Sequence, residues 1–210
     1  MVDMKRIVAL ILIIIPFVGF SQYLGLPGDN LNLFAVLDKF QKSPTLEIFE
    51  EDLNNIEFKI NNLDLDLNNQ IDYISVYEII DNENTHLIKL QTQITEIEKQ
   101  DIAIIIVERK RNKKINIQII GDIELYGKNY IIKPSNKIYT NSLPIITYIF
   151  KSKNSWTSNW CWANYPPYFR PWVPLYYHQY YGYHNNVDNG YTKYIKIENN
   201  NNAEAIQIKL

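Results

Sequence analysis

Apolar and polar residues alternate along the chain from Ile71 onward, and this spacing constrains the fold more than any other feature. A period of two is that of a β-strand, because successive side chains of a strand point to opposite faces of the sheet. The pattern predicts four strands, at residues 71–80, 85–94, 102–109 and 114–120. We expect these strands to pair as an antiparallel meander. The third is apolar throughout its middle, so it should be central or covered on both faces.

The residues that precede the strands follow a helical spacing. An apolar stripe predicts a helix over residues 31–41, and it consists of Leu33, Phe34, Leu37 and Phe40. Ser43 and Pro44 are typical of a helix cap and a first helical position, so a second helix is predicted over residues 44–55. The expected fold class is therefore α+β, with two N-terminal helices packed on an antiparallel β-meander.

An Asp/Asn-rich loop joins the second helix to the first strand. Its oxygen-bearing residues stand at alternate positions, and they are Asp64, Asp66, Asn68, Gln70 and Asp72. Calcium prefers oxygen ligands, and the calcium loop of an EF-hand supplies them at this alternate spacing. The sequence therefore predicts a metal site in this loop, with Ca²⁺ as the cofactor.

Two features separate this loop from an EF-hand. Ser75 stands where the EF-hand has a bidentate glutamate, and a strand rather than a helix follows. The loop resembles the DxDxDG-type calcium loops that precede strands in extracellular β-rich repeat proteins. It has asparagine in place of the third aspartate and, at Asn69, of the glycine. Glu78, Asp52 or water would have to complete the shell. The alternative is a polar turn that satisfies its own backbone and holds no metal.

Residues 156–183, the aromatic segment, contain all four tryptophans, four prolines and one charged residue, Arg170. The prolines interrupt any regular spacing, so the segment is predicted to be irregular and not to span a membrane. The aromatic candidates for binding are Trp156, Trp160, Trp162, Tyr165, Tyr168 and Trp172. Such rings can stack on a glycan, lie at a membrane surface or dock on an envelope protein. Alternatively, the segment packs back on its own domain.

A few single residues invite a chemical interpretation. His178 and His184, with Asp188 beyond them, could form a metal pair, although incidental polar residues in an aromatic loop are the preferred interpretation. His86 is expected to be a surface or hydrogen-bonded histidine of the sheet. Cys161 is the only cysteine, which excludes an intrachain disulfide. We expect a reduced thiol packed among Trp160 and Trp162, and the alternative is an intermolecular bridge or a reactive thiol.

The N-terminus has the pattern of a secretory signal peptide. The basic pair Lys5 and Arg6 precedes an apolar run, and small residues precede a cleavage site after Ser21. The chain is therefore divided into four parts, a signal peptide (1–21), an α+β domain (22–134), an aromatic and proline-rich segment (135–190) and a possible terminal β-hairpin (191–210). We expect an exported protein, located in the periplasm or associated with the outer membrane. Within the third part, residues 145–150 are a strand candidate.

The composition excludes several classes of function. A formal net charge of −2 gives no general attraction for nucleic acid. The seven glycines form no phosphate-binding motif, and the motifs of metalloproteases and serine hydrolases do not occur.

Four stretches carry a resemblance that spans most of the chain, and they are LPGDNLNLFAVLDKFQKS, DLDLNNQIDYISV, IIGDIELYGKNYIIKP and NYPPYFRPW. The chain resembles a group of uncharacterised exported proteins of Bacteroidota-type bacteria. This resemblance implies export and a shared fold, and it implies no reaction. The expected function is a non-enzymatic envelope module for binding or scaffolding, with a calcium-stabilised loop. The alternatives are a hydrolase of envelope polymers and an assembly or interaction factor for outer-membrane proteins.

Overall fold

The computed structural model describes residues 25–136, 138–139, 143–187 and 194–197. Its helices are α1 (Leu33–Lys42), α2 (Leu46–Leu53), α3 (Ile123–Tyr126), α4 (Pro144–Lys151) and α5 (Tyr177–Val187), with 3-10 turns at Pro27–Asn30 and Ile56–Phe58. Its strands are β1 (Ile74–Asn82), β2 (Thr85–Gln93), β3 (Lys99–Arg109), β4 (Lys114–Gly121), β5 (Ile131–Pro134), β6 (Ile138–Tyr139) and β7 (Tyr194–Ile197). The strand order is β1-β2-β3-β4-β5-β7, with β6 beside β4, and each described pair is antiparallel. The predicted α+β fold is confirmed.

The first four strands form the predicted meander, and β3 is central in it. Ile105 of β3 lies opposite Ile88 of β2 and Ile119 of β4, and all three side chains are fully buried. This row of branched side chains gives the sheet a continuous apolar layer, on which the helices pack. The first strand begins at Ile74 and not at Ile71, because the preceding backbone bonds to other parts of the chain.

The first two helices cover one face of the sheet. The side chain of Asn32 caps α1 by accepting the backbone N–H groups of Phe34 and Ala35. Thr45, and not Ser43 as the sequence pattern predicts, caps α2. The two helices meet at Phe40 and Phe49, whose rings lie edge to face with centroids 5.3 Å apart.

The strand predicted at residues 145–150 is wrong, because these residues belong to α4. Pro144 occupies the first turn of this helix, where its missing N–H costs nothing. Ile145, Ile146 and Ile149 are buried, and their spacing places them on one face of the helix. Helix α4 packs beside α1 and adds to the same core.

Some predictions fall on residues outside the described ranges. These are the signal peptide at residues 1–21 and the last part of the predicted terminal hairpin. Its first stretch is β7, which pairs with β5. Among the helices that the structure describes, none combines the length and the apolar character that crossing a membrane requires.

Candidate functional site: a cleft between two loops

Residues 64–72 form the acidic loop, a turn closed by hydrogen bonds to its own backbone. The carboxylate of Asp64 accepts the N–H of Asn68 (3.0 Å) through one oxygen and the N–H of Asn69 (3.1 Å) through the other. The backbone is left-handed at Asn69 (φ 65°), the position at which DxDxDG-type loops have glycine. A second left-handed residue, Leu67 (φ 58°), has a highly exposed side chain.

The two remaining carboxylates of the acidic loop lie in different environments. Asp66 is half-buried and accepts the backbone N–H (3.0 Å) and the side-chain amide (2.7 Å) of Asn68. Asp72 is only 7% exposed, and its Oδ2 accepts the N–H of Leu65 at 2.6 Å. Burial raises the pKa of Asp72 to about 7, against the effect of the Leu65 bond, and the negative charges of Asp66 and Asp64 add to this increase.

The structure gives the predicted calcium site no direct support. In the ranges described above, no group of three or more histidine, cysteine, aspartate or glutamate side chains is arranged to hold a metal ion. Glu78 and Asp52, the predicted additional ligands, do not join the acidic loop. Glu78 contacts His86 at 2.7 Å, and Asp52 forms an ion pair with Lys39 at 3.3 Å. The calcium site therefore stays a prediction.

The aromatic segment begins as a short extension of the sheet. The N–H of Glu78 donates to the carbonyl of Trp156 (2.8 Å), and the N–H of Ser158 donates to that of Val76 (3.0 Å). Thr157 forms an isolated antiparallel bridge to β1. The carboxylate of Glu78 also accepts the N–H of Trp156 at 3.0 Å. Residues 156–158 thereby cover the β1 edge from Val76 to Glu78, which would otherwise offer unpaired backbone groups.

A buried carboxylate links α2, β1 and the aromatic segment. Glu50 of α2 is 2% exposed and accepts the hydroxyls of Tyr73 (2.8 Å) and Ser158 (2.7 Å) through Oε1. Its Oε2 accepts the N–H of Val76 at 2.8 Å. Burial raises the pKa of Glu50, while the hydrogen bonds from these donors oppose the increase.

The middle of the aromatic segment is hydrogen-bonded directly to the acidic loop and to Asn62, which lies just before this loop. The N–H of Ile71 donates to the carbonyl of Trp172 at 2.9 Å. The side-chain amide of Asn62 pairs with both backbone groups of Leu175, at 3.0 Å as donor and 2.7 Å as acceptor. These bonds set the distance between the two loops, because backbone and short amide groups leave little freedom.

The rings of the segment pack on Tyr73, which directly follows the acidic loop. The centroid of Tyr73 lies 4.9 Å from that of Phe169 and 5.6 Å from that of Tyr165. Tyr168 contacts the Tyr73 hydroxyl at 3.2 Å. Of the alternatives for the aromatic segment, packing back on its own domain describes most of it, and some ring surface remains accessible.

The end of the aromatic segment is the start of α5, a helix that the sequence analysis missed. The Tyr180 hydroxyl donates to the carbonyl of Ile60 (2.7 Å) and accepts the N–H of Asn32 (2.8 Å). Nε2 of His184 donates to the carbonyl of Lys59 at 2.8 Å, and burial lowers the pKa of this histidine. The helical signal was the spacing of Tyr177, Tyr180, Tyr181 and His184, which recurs at intervals of three and four residues.

The histidines and the cysteine that the sequence analysis singled out differ in burial. His178 is exposed and stacks on Tyr176, whereas His184 is buried, so the structure does not support a metal pair. Asp188 lies outside the described residues. Cys161 is exposed, so the prediction of a packed thiol is wrong. His86 is hydrogen-bonded as expected, but it is buried with Glu78 and is not on a surface.

A cleft of about 240 Å³ opens between the acidic loop and the aromatic segment. One wall carries the polar side chains of Asp66, Asn68, Gln70 and Asp72. The wall that the aromatic segment contributes carries Trp162, Tyr165, Phe169 and Pro171. The structure thus brings together the two stretches that the sequence singled out separately.

Not every predicted site residue lines this cleft. Four of the five predicted loop ligands do, and Asp64 does not. Of the six predicted aromatic residues, Trp162 and Tyr165 line the cleft, while Trp156, Trp160, Tyr168 and Trp172 lie elsewhere. Phe169 was missed, and only its position next to Tyr73 in space, which sequence spacing does not reveal, identifies it.

The aromatic wall is shaped by a tight turn. Cys161 and Asn164 exchange backbone hydrogen bonds, with lengths of 3.2 and 2.9 Å, and Ala163 has a φ of 58°. A left-handed backbone is uncommon for alanine, and strained backbone of this kind clusters at functional sites such as ligand-binding loops. The N–H of the neighbouring Trp162 donates to the side chain of Gln93 at 3.0 Å, which fixes the turn to the sheet.

Comparison with protein-family models, curated proteins and solved structures gives no match for the chain. Its function is therefore argued from the cleft itself.

Proposed function

We propose that the protein is an exported, non-enzymatic binding module whose ligand is a glycan held in the cleft. One observation carries the proposal, namely that aromatic rings and carboxylate and amide side chains line the same cleft of about 240 Å³. Ligand sites generally combine apolar or aromatic walls with a few placed polar groups. Sugars match this combination, because a sugar ring has C–H faces that pack on aromatic rings and hydroxyls that bond to carboxylates and amides.

The supports of the cleft favour binding over a merely structural turn. Both walls are fixed to the same framework, through the bonds from Ile71 to Trp172 and from Asn62 to Leu175. The buried carboxylate of Glu50 fixes the first residues of the aromatic segment in the same way. A site that is already held in shape loses less conformational entropy when it binds, so more of the contact energy appears as affinity.

Other partners fit the geometry less well. A protein that adds a strand to a sheet needs a long free edge, and residues 156–158 already occupy the β1 edge from Val76 to Glu78. A membrane surface requires a contiguous group of exposed rings, and five of the six predicted aromatic residues are half-buried. The signal-peptide pattern at residues 1–21 supports a location in the periplasm or at the outer membrane, where envelope glycans occur.

Titration with oligosaccharides, followed by tryptophan fluorescence and calorimetry, tests this proposal. The variant Trp162→Ala removes a ring from the cleft but leaves its backbone bond to Gln93 in place. We expect this variant to lose binding about fivefold or more, because one aromatic contact contributes on the order of 1 kcal/mol.

Trp160→Ala is the matched control, because Trp160 is also half-buried in the same segment but does not line the cleft. It should bind like the unaltered protein. The proposal fails if no oligosaccharide from an envelope-glycan panel binds, or if both tryptophan variants reduce binding equally.

A further inference from the structure

The charge of the cleft restricts which sugars it can hold. Its lining includes the carboxylates of Asp66 and Asp72 and contains no lysine, arginine or histidine. The carboxylate of Asp64 lies close enough to act on Asp72 electrostatically. In the described part of the chain, the ion pairs found involve other carboxylates. Among the described residues, no ion pair to these carboxylates is found, so the cleft presents negative charge.

Asp72 makes this charge costly in the absence of a ligand. It is 7% exposed, and the one hydrogen bond found to its carboxylate is the bond from Leu65 to Oδ2. A carboxylate removed from water and placed near other carboxylates is unfavourable unless a cation approaches it. A positively charged ligand group would remove this penalty.

The opposite wall suits the same group. A cation over the face of a tryptophan or tyrosine ring is attracted by the negative face of the ring, and the attraction increases when water is excluded. Trp162 and Tyr165 supply such rings in the same cleft as the carboxylates. A neutral acetamido group would gain neither the charge pairing nor the cation–π contact.

The size of the cleft limits the ligand to a small unit. Its volume of about 240 Å³ is below the roughly 300 to 1,000 Å³ of pockets that enclose drug-sized molecules. One sugar ring with its substituent fits this space, while further rings of an oligomer would lie outside it.

We propose that the cleft selects an amino sugar whose amine is free and protonated, with the ammonium group held between the carboxylates of Asp66 and Asp72 and the rings of Trp162 and Tyr165. This inference rests on the proposed function and names the sugar class that it would take. The ligand is thus a de-N-acetylated unit of a glycan, such as glucosamine, rather than its acetylated form.

The test compares two trisaccharides that differ only in acetylation. The probes are the β-1,4-linked trimer of glucosamine and the same trimer of N-acetylglucosamine, titrated into the full protein at neutral pH. We expect the free-amine trimer to bind at least tenfold more tightly. Its affinity should fall as salt concentration rises, because salt screens the charge pairing, whereas that of the acetylated trimer should change little.

Two variants assign the effect to the cleft. Asp66→Asn should reduce binding of the free-amine trimer about tenfold, since one charge pair is lost, and it should weaken binding of the acetylated trimer much less, since that trimer loses no charge pair. Asp81→Asn removes one exposed charge at the far end of β1 and should change neither affinity. If Asp66→Asn disturbs the loop, the salt dependence of binding to the unaltered protein still shows whether charge pairing holds the free-amine trimer.

The outcomes separate this inference from the proposed function. Equal binding of the two trimers, or tighter binding of the acetylated one, overturns the amino-sugar assignment and leaves glycan binding intact. Binding of neither trimer, nor of any other oligosaccharide, removes both. A third probe, 1,6-diaminohexane, carries ammonium groups without a sugar ring. If it binds as tightly as the free-amine trimer, the cleft does not read a sugar and the assignment also fails.

Discussion

The buried carboxylate of Glu50 offers a quantitative test of how the aromatic segment is held. Glu50→Ala removes the acceptor of three hydrogen bonds, from the Tyr73 and Ser158 hydroxyls and the Val76 N–H. A bond to a charged acceptor contributes about 1.5 kcal/mol or more, and a buried donor left unpaired costs about 1–3 kcal/mol. Release of a desolvated carboxylate offsets part of this loss. We expect the free energy of unfolding to fall by about 3 kcal/mol.

Glu50→Gln separates hydrogen bonding from charge. The amide has the same shape, its oxygen can accept the Val76 N–H, and its NH₂ can donate to the two hydroxyl oxygens. We expect a loss below about 1 kcal/mol, because each polar group keeps a partner. Glu47→Ala, at an exposed position of α2, is the control and should change stability by no more than about 0.5 kcal/mol.

Urea unfolding at neutral pH, followed by tryptophan fluorescence, measures all three variants. Limited proteolysis adds a local measurement, because a released aromatic segment should be cut earlier in Glu50→Ala than in Glu50→Gln. A loss below about 1 kcal/mol in the alanine variant, or equal losses in the alanine and glutamine variants, would refute the assigned role of these three bonds.

Three further predictions concern other parts of the molecule. A Cβ at Gly28 would lie 2.4 Å from a backbone carbonyl oxygen, so Gly28→Ala should destabilise the protein by more than about 3 kcal/mol in the same urea assay. A Cβ at Gly182 of helix α5 would meet open space, so Gly182→Ala should stabilise the protein by about 0.5–1 kcal/mol. If the acidic loop binds calcium, adding it to about 10 mM after EDTA should raise the melting temperature, and Asp64→Ala with Asp66→Ala should abolish the rise. An unchanged melting temperature would mean an ordinary polar turn. His86→Phe keeps an aromatic ring but leaves the buried Glu78 carboxylate without its histidine partner. The free energy of unfolding, measured by calorimetric melting, should fall by about 3 kcal/mol. A change near zero would show that the His86–Glu78 pair contributes little to stability.

The regular elements of the first 121 residues were predictable where one face of each is buried and the other is not. Helix α1 and strands β2 and β4 lie within about two residues of their predicted bounds. Short elements that are apolar on several sides were not predictable. Ile145, Ile146 and Ile149 lie in a run too short to separate a strand from a helix. The spacing of α5 directly follows a proline-rich stretch, which favours irregular structure.

The sequence by itself determined the chemistry of the two walls, since the spacing of oxygen-bearing side chains and the density of rings are local properties. Only the tertiary structure decided that the walls face each other. Asn62 and Leu175 are bonded although they lie 113 residues apart, and such a contact leaves no period in either stretch. The burial of Asp72 likewise arises from chain segments distant in sequence, which surround its carboxylate only after folding.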